Sequence, residues 1–487
     1  MKRLKLSILA LIGLVLTAVF PSRYLSNISG IATTSIDYGV HLNISTHIRN
    51  FDIFPQSQND QVGKHAVSKY LPIYHGLLGF HVLAAALEFI GIPLPGAYCL
   101  LIDISFLLIL VVLLFMVLDN LQKQKSLEAF IVLTIAIPIL IFYFIEAMKA
   151  AFFSQLLSQA LVFSAIYLYK LNRNRAALCL LLYAGFCYPD FIIWFFPILF
   201  FSEQRFIKTA AVVLSPAWLV LMFIPFSRSH LAGSTPASQI VFYSTAALTL
   251  LNIKSLWRDN RTIAIATLFF IIYALTFTLG TMSYFTPTYY ASKISSFSYF
   301  ILPILLLSVP ILSNFASRLM MAILLLLLLT EERPWVNRTL DYFAAPSFTN
   351  QDYKDTLQEA QEADLQTNGV CRHDTTYLLP SPEQNSIAIS ARYGTLANFD
   401  IYSLNLNSKG MNQIFQSNNG SLGAFLQMPP LPHEGILELK KTIESFEVIT
   451  DFCLGVPEKE AAAFAESQSF EKLYAGAHFV YFKPKKP

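Results

Sequence analysis

The sequence predicts an α-helical polytopic membrane protein with about ten or eleven membrane segments and a C-terminal extracytoplasmic mixed α/β domain. Three observations carry that prediction. Of 487 residues, 55% are hydrophobic, and 41 are phenylalanine. Only 13% are charged, against roughly 25% in soluble domains, and the mean hydropathy is +0.52. Apolar runs of spanning length recur as far as residue 330, where the composition turns polar. A net charge of +3 is too small to mark a nucleic-acid surface, so no nucleic-acid partner is expected.

The N-terminus reads MKRLK and then SILALIGLVLTAVF. No small-x-small cleavage site follows, so this reads as an uncleaved first helix with its basic end inside. Further runs lie at about 72–92, 97–118, 128–146, 151–170, 207–225, 262–282, 296–313 and 317–330. The run 176–201 is broken at CYPDF by Pro189 and Asp190, as one kinked helix or two half-helices. The run 238–253 is weaker, because Ser, Thr and Asn interrupt it.

Basic residues orient these runs. Arg318, Arg258, Arg261, Lys123 and Lys125 fit the inside, as do Arg205, Lys208, Arg173 and Arg175 if 176–201 is a hairpin. Residues 21–70, 283–295 and the chain after 330 then lie outside. One conflict remains. Two full crossings at 72–92 and 97–118 would leave Lys123 and Lys125 outside, so either one of the two runs is re-entrant or a few charges break the positive-inside rule.

The division is therefore a membrane module over 1–330, with 21–70 as its first extracytoplasmic loop, and a soluble domain over 331–487. In the latter, helical patterns occur near 350–366, 435–446 and 457–468, and strand-like runs at 386–390, 446–455 and 479–484. Five cysteines are present. Cys99, Cys179 and Cys187 sit in apolar runs. Cys371 and Cys453 sit in the polar tail and can pair if that tail is extracytoplasmic.

Titratable residues near the outer surface are the candidate site. Asp37 and His41 share a face if their stretch is helical. An Asp facing a cavity there can act as general base toward an acceptor hydroxyl; a solvated loop carboxylate is the commoner fate. The loop is about 50 residues long, and Phe51, Ile53 and Phe54 suit an interfacial segment. His75, His81 and Glu88 interrupt the next apolar run, and polar residues at that depth face an interior or a cavity. The six-residue histidine spacing departs from the i, i+4 pair of zinc sites. Lys293, in YYASK, is the best-placed cation for a lipid phosphate, with a snorkelling helix-end lysine as the alternative. Glu146, Lys149, Tyr188 and Asp190 can line the same cavity or serve structure alone. No phosphate-binding glycine loop, GxSxG, HExxH or paired CxxC occurs. Sequons at Asn27, Asn43, Asn337 and Asn419 lie in segments read as outside.

Taken together, these stretches resemble glycosyltransferases of the C-type membrane fold, the GT-C superfamily. The resemblance rests on an Asp with a His four residues on in a long first loop. It also rests on YLPIYHGLLGFHVLAAALEFIGIP, on AFFSQLLSQALVFSAIYLY, on TYYASK before a late helix, and on the closing FEKLYAGAHFVYFKP. It implies transfer of a sugar from a polyprenyl-phosphate carrier to a glycan or lipid-linked acceptor outside the membrane. Asp37 would deprotonate or orient the acceptor and Lys293 would hold the carrier phosphate. His41 would bind the acceptor or support a group that does, and Tyr289, Tyr290, His75 and Glu146 are the other candidate substrate contacts. Well-known members often carry two adjacent acids in this loop. Here Tyr38 follows Asp37, so a divalent metal, left open as a cofactor, would need a second carboxylate such as Asp52 or Glu146. Two other classes compete: a transporter or flippase of lipid-linked saccharides, and a non-catalytic membrane scaffold. A polymerase or ligase of lipid-linked glycans is the nearest enzymatic alternative.

Overall fold

A computed structural model describes residues 78–122, 152–188, 236–259, 298–308, 314–331, 350–367, 375–377 and 453–485. It also describes positions among 7–49, 140–147, 205–213, 261–271, 347–348 and 437–444. The elements in chain order are β1 (Ile31–Ala32), α1 (Gly79–Phe89), α2 (Leu94–Gln122), α3 (Phe153–Lys170), α4 (Asn174–Cys187), α5 (Pro236–Asp259), α6 (Ser298–Ser308) and α7 (Phe315–Glu331). They continue with β2 (Ser347–Phe348), α8 (Asn350–Gln366), β3 (Thr375–Tyr377), β4 (Cys453–Pro457), α9 (Glu458–Ala465), β5 (Phe470–Ala475) and β6 (Phe479–Pro484).

Two helices are long and apolar enough to cross a membrane, judged by length and composition: Leu94–Leu121 within α2 and Ile240–Arg258 within α5. The 29 residues of α2 span about 43 Å, more than the roughly 30 Å of a hydrocarbon core. By contrast, the 11 residues of α1 span only about 16 Å. The apolar run read as a crossing at 72–92 therefore holds a described helix of half that length. The reason is local. Gly91, at φ 102°, sits where an L side chain is strained, and the Ile92 amide bonds back to the Leu87 carbonyl at 3.1 Å. This six-to-one bond past a left-handed glycine closes a helix end inside an otherwise apolar stretch. Leu94 and Pro95 then restart the chain, since proline fits a first helical turn.

Helices α3 and α4 form a hairpin joined by three residues. Asn172, at φ 59°, makes the left-handed turn, and the Arg173 amide closes on the Leu168 carbonyl at 2.9 Å. The expected break at CYPDF is present. Helix α4 stops at Cys187, and Tyr188 is extended at φ −156°, as the residue before a proline prefers.

The weak run at 238–253 is a helix whose polarity is turned inward. Ser244, Thr245, Thr249 and Asn252 are buried, while Tyr243, Leu250, Leu251 and Trp257 are exposed. Asn252 Nδ2 donates to Ser317 Oγ on α7 at 2.8 Å, which ties the two helices together. Helix α3 follows the same pattern, with Ser154, Gln155, Ser158 and Gln159 all buried.

The C-terminal sheet has strand order β3-β4-β6-β5, with β3 parallel to β4 and the other pairs antiparallel. Helix α9 covers one face, where Phe464 meets Phe470 and Phe482 at 5.0 and 5.7 Å. On the other face, Tyr474 and Tyr481 meet at 5.8 Å and the Tyr474 hydroxyl reaches α8. Burial on both faces explains the unbroken apolar run of β6. Cys453 is disulfide-bonded, whereas Cys99, Cys179 and Cys187 are free; Cys371 lies outside the described residues. The strand expected at 386–390 also lies outside them. The expected helices at 350–366 and 457–468 match α8 and α9, and the strand at 479–484 matches β6.

Helix α8 docks through Glu362, which accepts from Gln358 Nε2 and from the Tyr474 hydroxyl, both at 2.9 Å. The Gln358 amide and then the Tyr474 hydroxyl hold the Glu362 carboxyl below its usual range. Desolvation and then the Glu362 bond push the Tyr474 hydroxyl up. A lowered carboxyl stabilises above its unfolded value and loses that contribution as pH falls through its folded value. A raised phenol stabilises below its unfolded value and loses that contribution as pH rises. Thermal unfolding of the full chain in detergent is therefore expected to show wild type above Glu362→Gln at neutral pH, with the gap closing in acid.

Candidate functional site at the first loop

His41, Leu42, Ile44, Ser45, Ile48 and Arg49 are helical, and they lie along α1 in the same chain direction. His41 Nδ1 stands 2.8 Å from His81 Nε2 near the start of α1. Arg49 donates to Glu88 Oε1 at 3.1 Å near its end. Seven residues separate His81 from Glu88 and eight separate His41 from Arg49, two helical turns in each case, so both pairs are met at once.

Tyr98, fully buried at the start of α2, fixes the loop from below. Its hydroxyl donates to the His41 carbonyl at 2.6 Å and lies 2.7 Å from Ser45 Oγ. A phenol carries one hydrogen, so with that hydrogen on the carbonyl, Ser45 donates to Tyr98. Phe80 and Phe153 complete the seat. Tyr98 meets Phe80 edge-on at 4.9 Å and Phe153 at 5.6 Å, and His41 tilts against Phe153 at 5.4 Å.

The two imidazoles are stacked, with centroids 5.0 Å apart. One ring donates its N–H and the other accepts, and the tautomer decides which. Repulsion between the rings resists a doubly protonated pair. A hydrogen-bonded imidazole pair of this geometry can pass a proton from one ring to the other. The Arg49–Glu88 pair adds a second, internally balanced set of charges, with Glu88 largely buried and Arg49 more exposed.

Deeper in the bundle, Gln155 Nε2 and Gln159 Nε2 both reach the Tyr143 hydroxyl, at 3.1 and 2.9 Å. Ser158 Oγ donates to the Ala184 carbonyl on α4 at 2.9 Å. Among the described residues, no group of three or more His, Cys, Asp or Glu side chains could hold a metal ion.

Of the residues expected in the site, His41 is described and sits at its centre. Asp37, His75, Glu146, Tyr289, Tyr290 and Lys293 lie outside the described residues, as do Asp52, Pro189 and Asp190. His81 and Glu88 were legible as polar interruptions of an apolar run. Their partners were not, because His41 and Arg49 lie 40 and 39 residues away in sequence. Tyr98 gave no signal, being one aromatic in an apolar run.

No family model, curated protein or solved structure matches this chain.

Replacing Tyr98 by Phe keeps the buried ring and removes both loop contacts. The change is expected to cost about 1–3 kcal/mol locally. Hydrogen exchange at residues 41–49 should accelerate while α2 and α3 stay protected; unchanged exchange there would show that the loop is held elsewhere.

Proposed function

We propose that this chain is a multi-pass membrane glycosyltransferase that moves a sugar from a polyprenyl-phosphate carrier to an extracytoplasmic acceptor. The observation that carries the reading is the His41–His81 pair, held 2.8 Å apart four residues after Asp37. A titratable pair of this kind suits proton transfer at the point where a lipid-borne substrate meets its acceptor.

Several further observations support a membrane setting. The helices present apolar side chains outward, as with Phe315, Leu319, Ile323 and Leu326 on α7. The buried faces of α3 and α5 are instead rich in Ser, Thr, Asn and Gln. Lipid rewards that inversion, since a polar group facing hydrocarbon finds no partner there. No residue of β4, α9, β5 or β6 is an exposed large hydrophobic.

Topology gains support as well. The N-terminal end of α2 meets the first loop through Tyr98, and its other end leads directly to Lys123 and Lys125. This supports the reading in which α2 crosses and the two lysines lie on the inside. The disulfide at Cys453 favours an oxidising, extracytoplasmic location for the tail. Strand β1, in the first loop, pairs with β2 after α7, as expected if both segments share one side.

In the reaction, the bond from the anomeric carbon to the carrier phosphate breaks, and a bond to the acceptor oxygen forms. The acceptor proton passes to the Asp37 carboxylate, with the histidine pair next to take it. The carrier leaves as polyprenyl phosphate with the bonding electrons, its charge met by Lys293. Tyr289, Tyr290, His75 and Glu146 complete the substrate contacts, with membrane lipids around the carrier chain. Asp37, Asp52 and Glu146, the carboxylates that would hold a divalent metal, lie outside the described residues.

One observation favours a second reading. Short α1 and the early stop of α4 are discontinuities of the kind that transporters of lipid-linked saccharides use. The two readings separate in one experiment. Lipid-linked saccharides and envelope glycans are profiled for wild type, Asp37→Asn, His41→Ala and Lys293→Ala at matched expression. Transferase chemistry predicts a transfer loss of about 10²–10⁴-fold, with unused lipid-phosphate sugar accumulating. Normal transfer, with loss only of movement across proteoliposomes, would favour the transporter.

A further inference from the structure

The C-terminal sheet touches α8 at a second point, which the candidate site does not use. Glu359 is buried, and its Oε1 accepts from the backbone amides of His478 and Phe479, both at 3.4 Å. These amides lie in the hairpin between β5 and β6, which Gly476 closes by bonding the Phe479 carbonyl at 2.8 Å. A Cβ on Gly476 would overlap the Glu359 carboxylate, so the glycine makes room for the acid. Helix α8 also packs on α2, and so does β1.

The start of α8 is where this docking matters. Asn350 follows β2 by two residues, and β2 pairs with β1 in the register Ile31 to Phe348 and Ala32 to Ser347. A ladder of two residues per strand is not stable by itself. It persists because its strands are held from outside. Strand β2 leads within two residues into α8, whose middle and C-terminal half are clamped to the sheet by Glu359 and Glu362. Strand β1 lies nine residues before His41.

We propose that α8 is a strap through which the C-terminal sheet fixes the first extracytoplasmic loop, with Glu359 as its positioning residue. The structural link runs from hairpin 476–479 to Glu359, along α8 to β2, across to β1, and so to the loop that carries His41. The proposal gives the C-terminal domain a role in ordering the site, whatever else it binds. Its structural arm is independent of the transferase reading, and only its activity arm rests on that reading.

The test uses the full chain in detergent or nanodiscs. Hydrogen exchange is followed at residues 31–32, 41–49 and 347–348, with α2, α3 and β4 as internal references. Glu359→Ala and Gly476→Ala are expected to speed exchange at the three target segments by about tenfold to a hundredfold, the references holding. Glu359→Gln, which keeps one acceptor oxygen, should fall between these variants and wild type. Faster exchange in α8 with no change at 31–32 and 41–49 would overturn the proposal.

If either variant also loosens the sheet, a lock separates the two effects. Ile31→Cys with Phe348→Cys cross-links the strands at a register pair. In the Glu359→Ala background, the oxidised lock should restore protection at 41–49, together with any transfer activity lost. Protection that stays low with the lock closed would show that the strap does not act through β1–β2. Restored protection without restored transfer would count against the transferase reading and leave the strap standing.

Discussion

Helix α2 is the constraint on which the rest of the described structure leans. Helices α1, α3, α6 and α8 and strand β1 all pack on it. Its length satisfies its own backbone through about eight turns, which is what a segment needs where no water can help. Its first turn carries Tyr98, and that hydroxyl holds the first loop at two points. A single helix, long and apolar enough to span a membrane, thus serves as core and as platform for the first loop. The aromatic seat of Phe80, Tyr98 and Phe153 places the tyrosine where no water competes for its hydrogen bonds.

Polar side chains inside the bundle pair with one another across the helix seams. Asn252 meets Ser317, Gln155 and Gln159 share Tyr143, and Ser158 caps a carbonyl of α4. Each bond is modest, roughly 1 kcal/mol between membrane helices. Their value lies in direction. Apolar side chains alone let helices slide or rotate against one another, whereas an amide that must find a given hydroxyl does not. The same logic holds at the first loop, where two pairs two turns apart fix both the rotation and the register of the segment against α1.

How much of this the sequence disclosed depends on range. Local signals were legible. The break at Tyr188, helix α8, helix α9 and strand β6 all follow from nearest neighbours, proline, or a periodic pattern. Within the apolar run at 72–92, Gly91 ends α1 without adding a charge, a break that hydropathy alone does not register. The weak run at 238–253 looked doubtful because Ser, Thr and Asn interrupt it; in the fold those residues face in. Glu359 and Glu362 were ordinary acids on an amphipathic helix until the hairpin at 476–479 gave them partners more than a hundred residues away. Long-range pairing leaves no periodic trace, so His81 and Tyr98 could not be assigned partners from sequence.

Two anchors bracket the stretch that contains Asp37. Strand β1 ends at Ala32, and the histidine contact begins at His41. Eight residues lie between them in sequence. One anchor lies among α1, α2 and α3, and the other pairs with a segment that follows α7. If α8 straps the sheet to β2, the loop gains its second anchor only once the chain beyond α7 has been made, which would couple ordering of the loop to completion of the C-terminal domain.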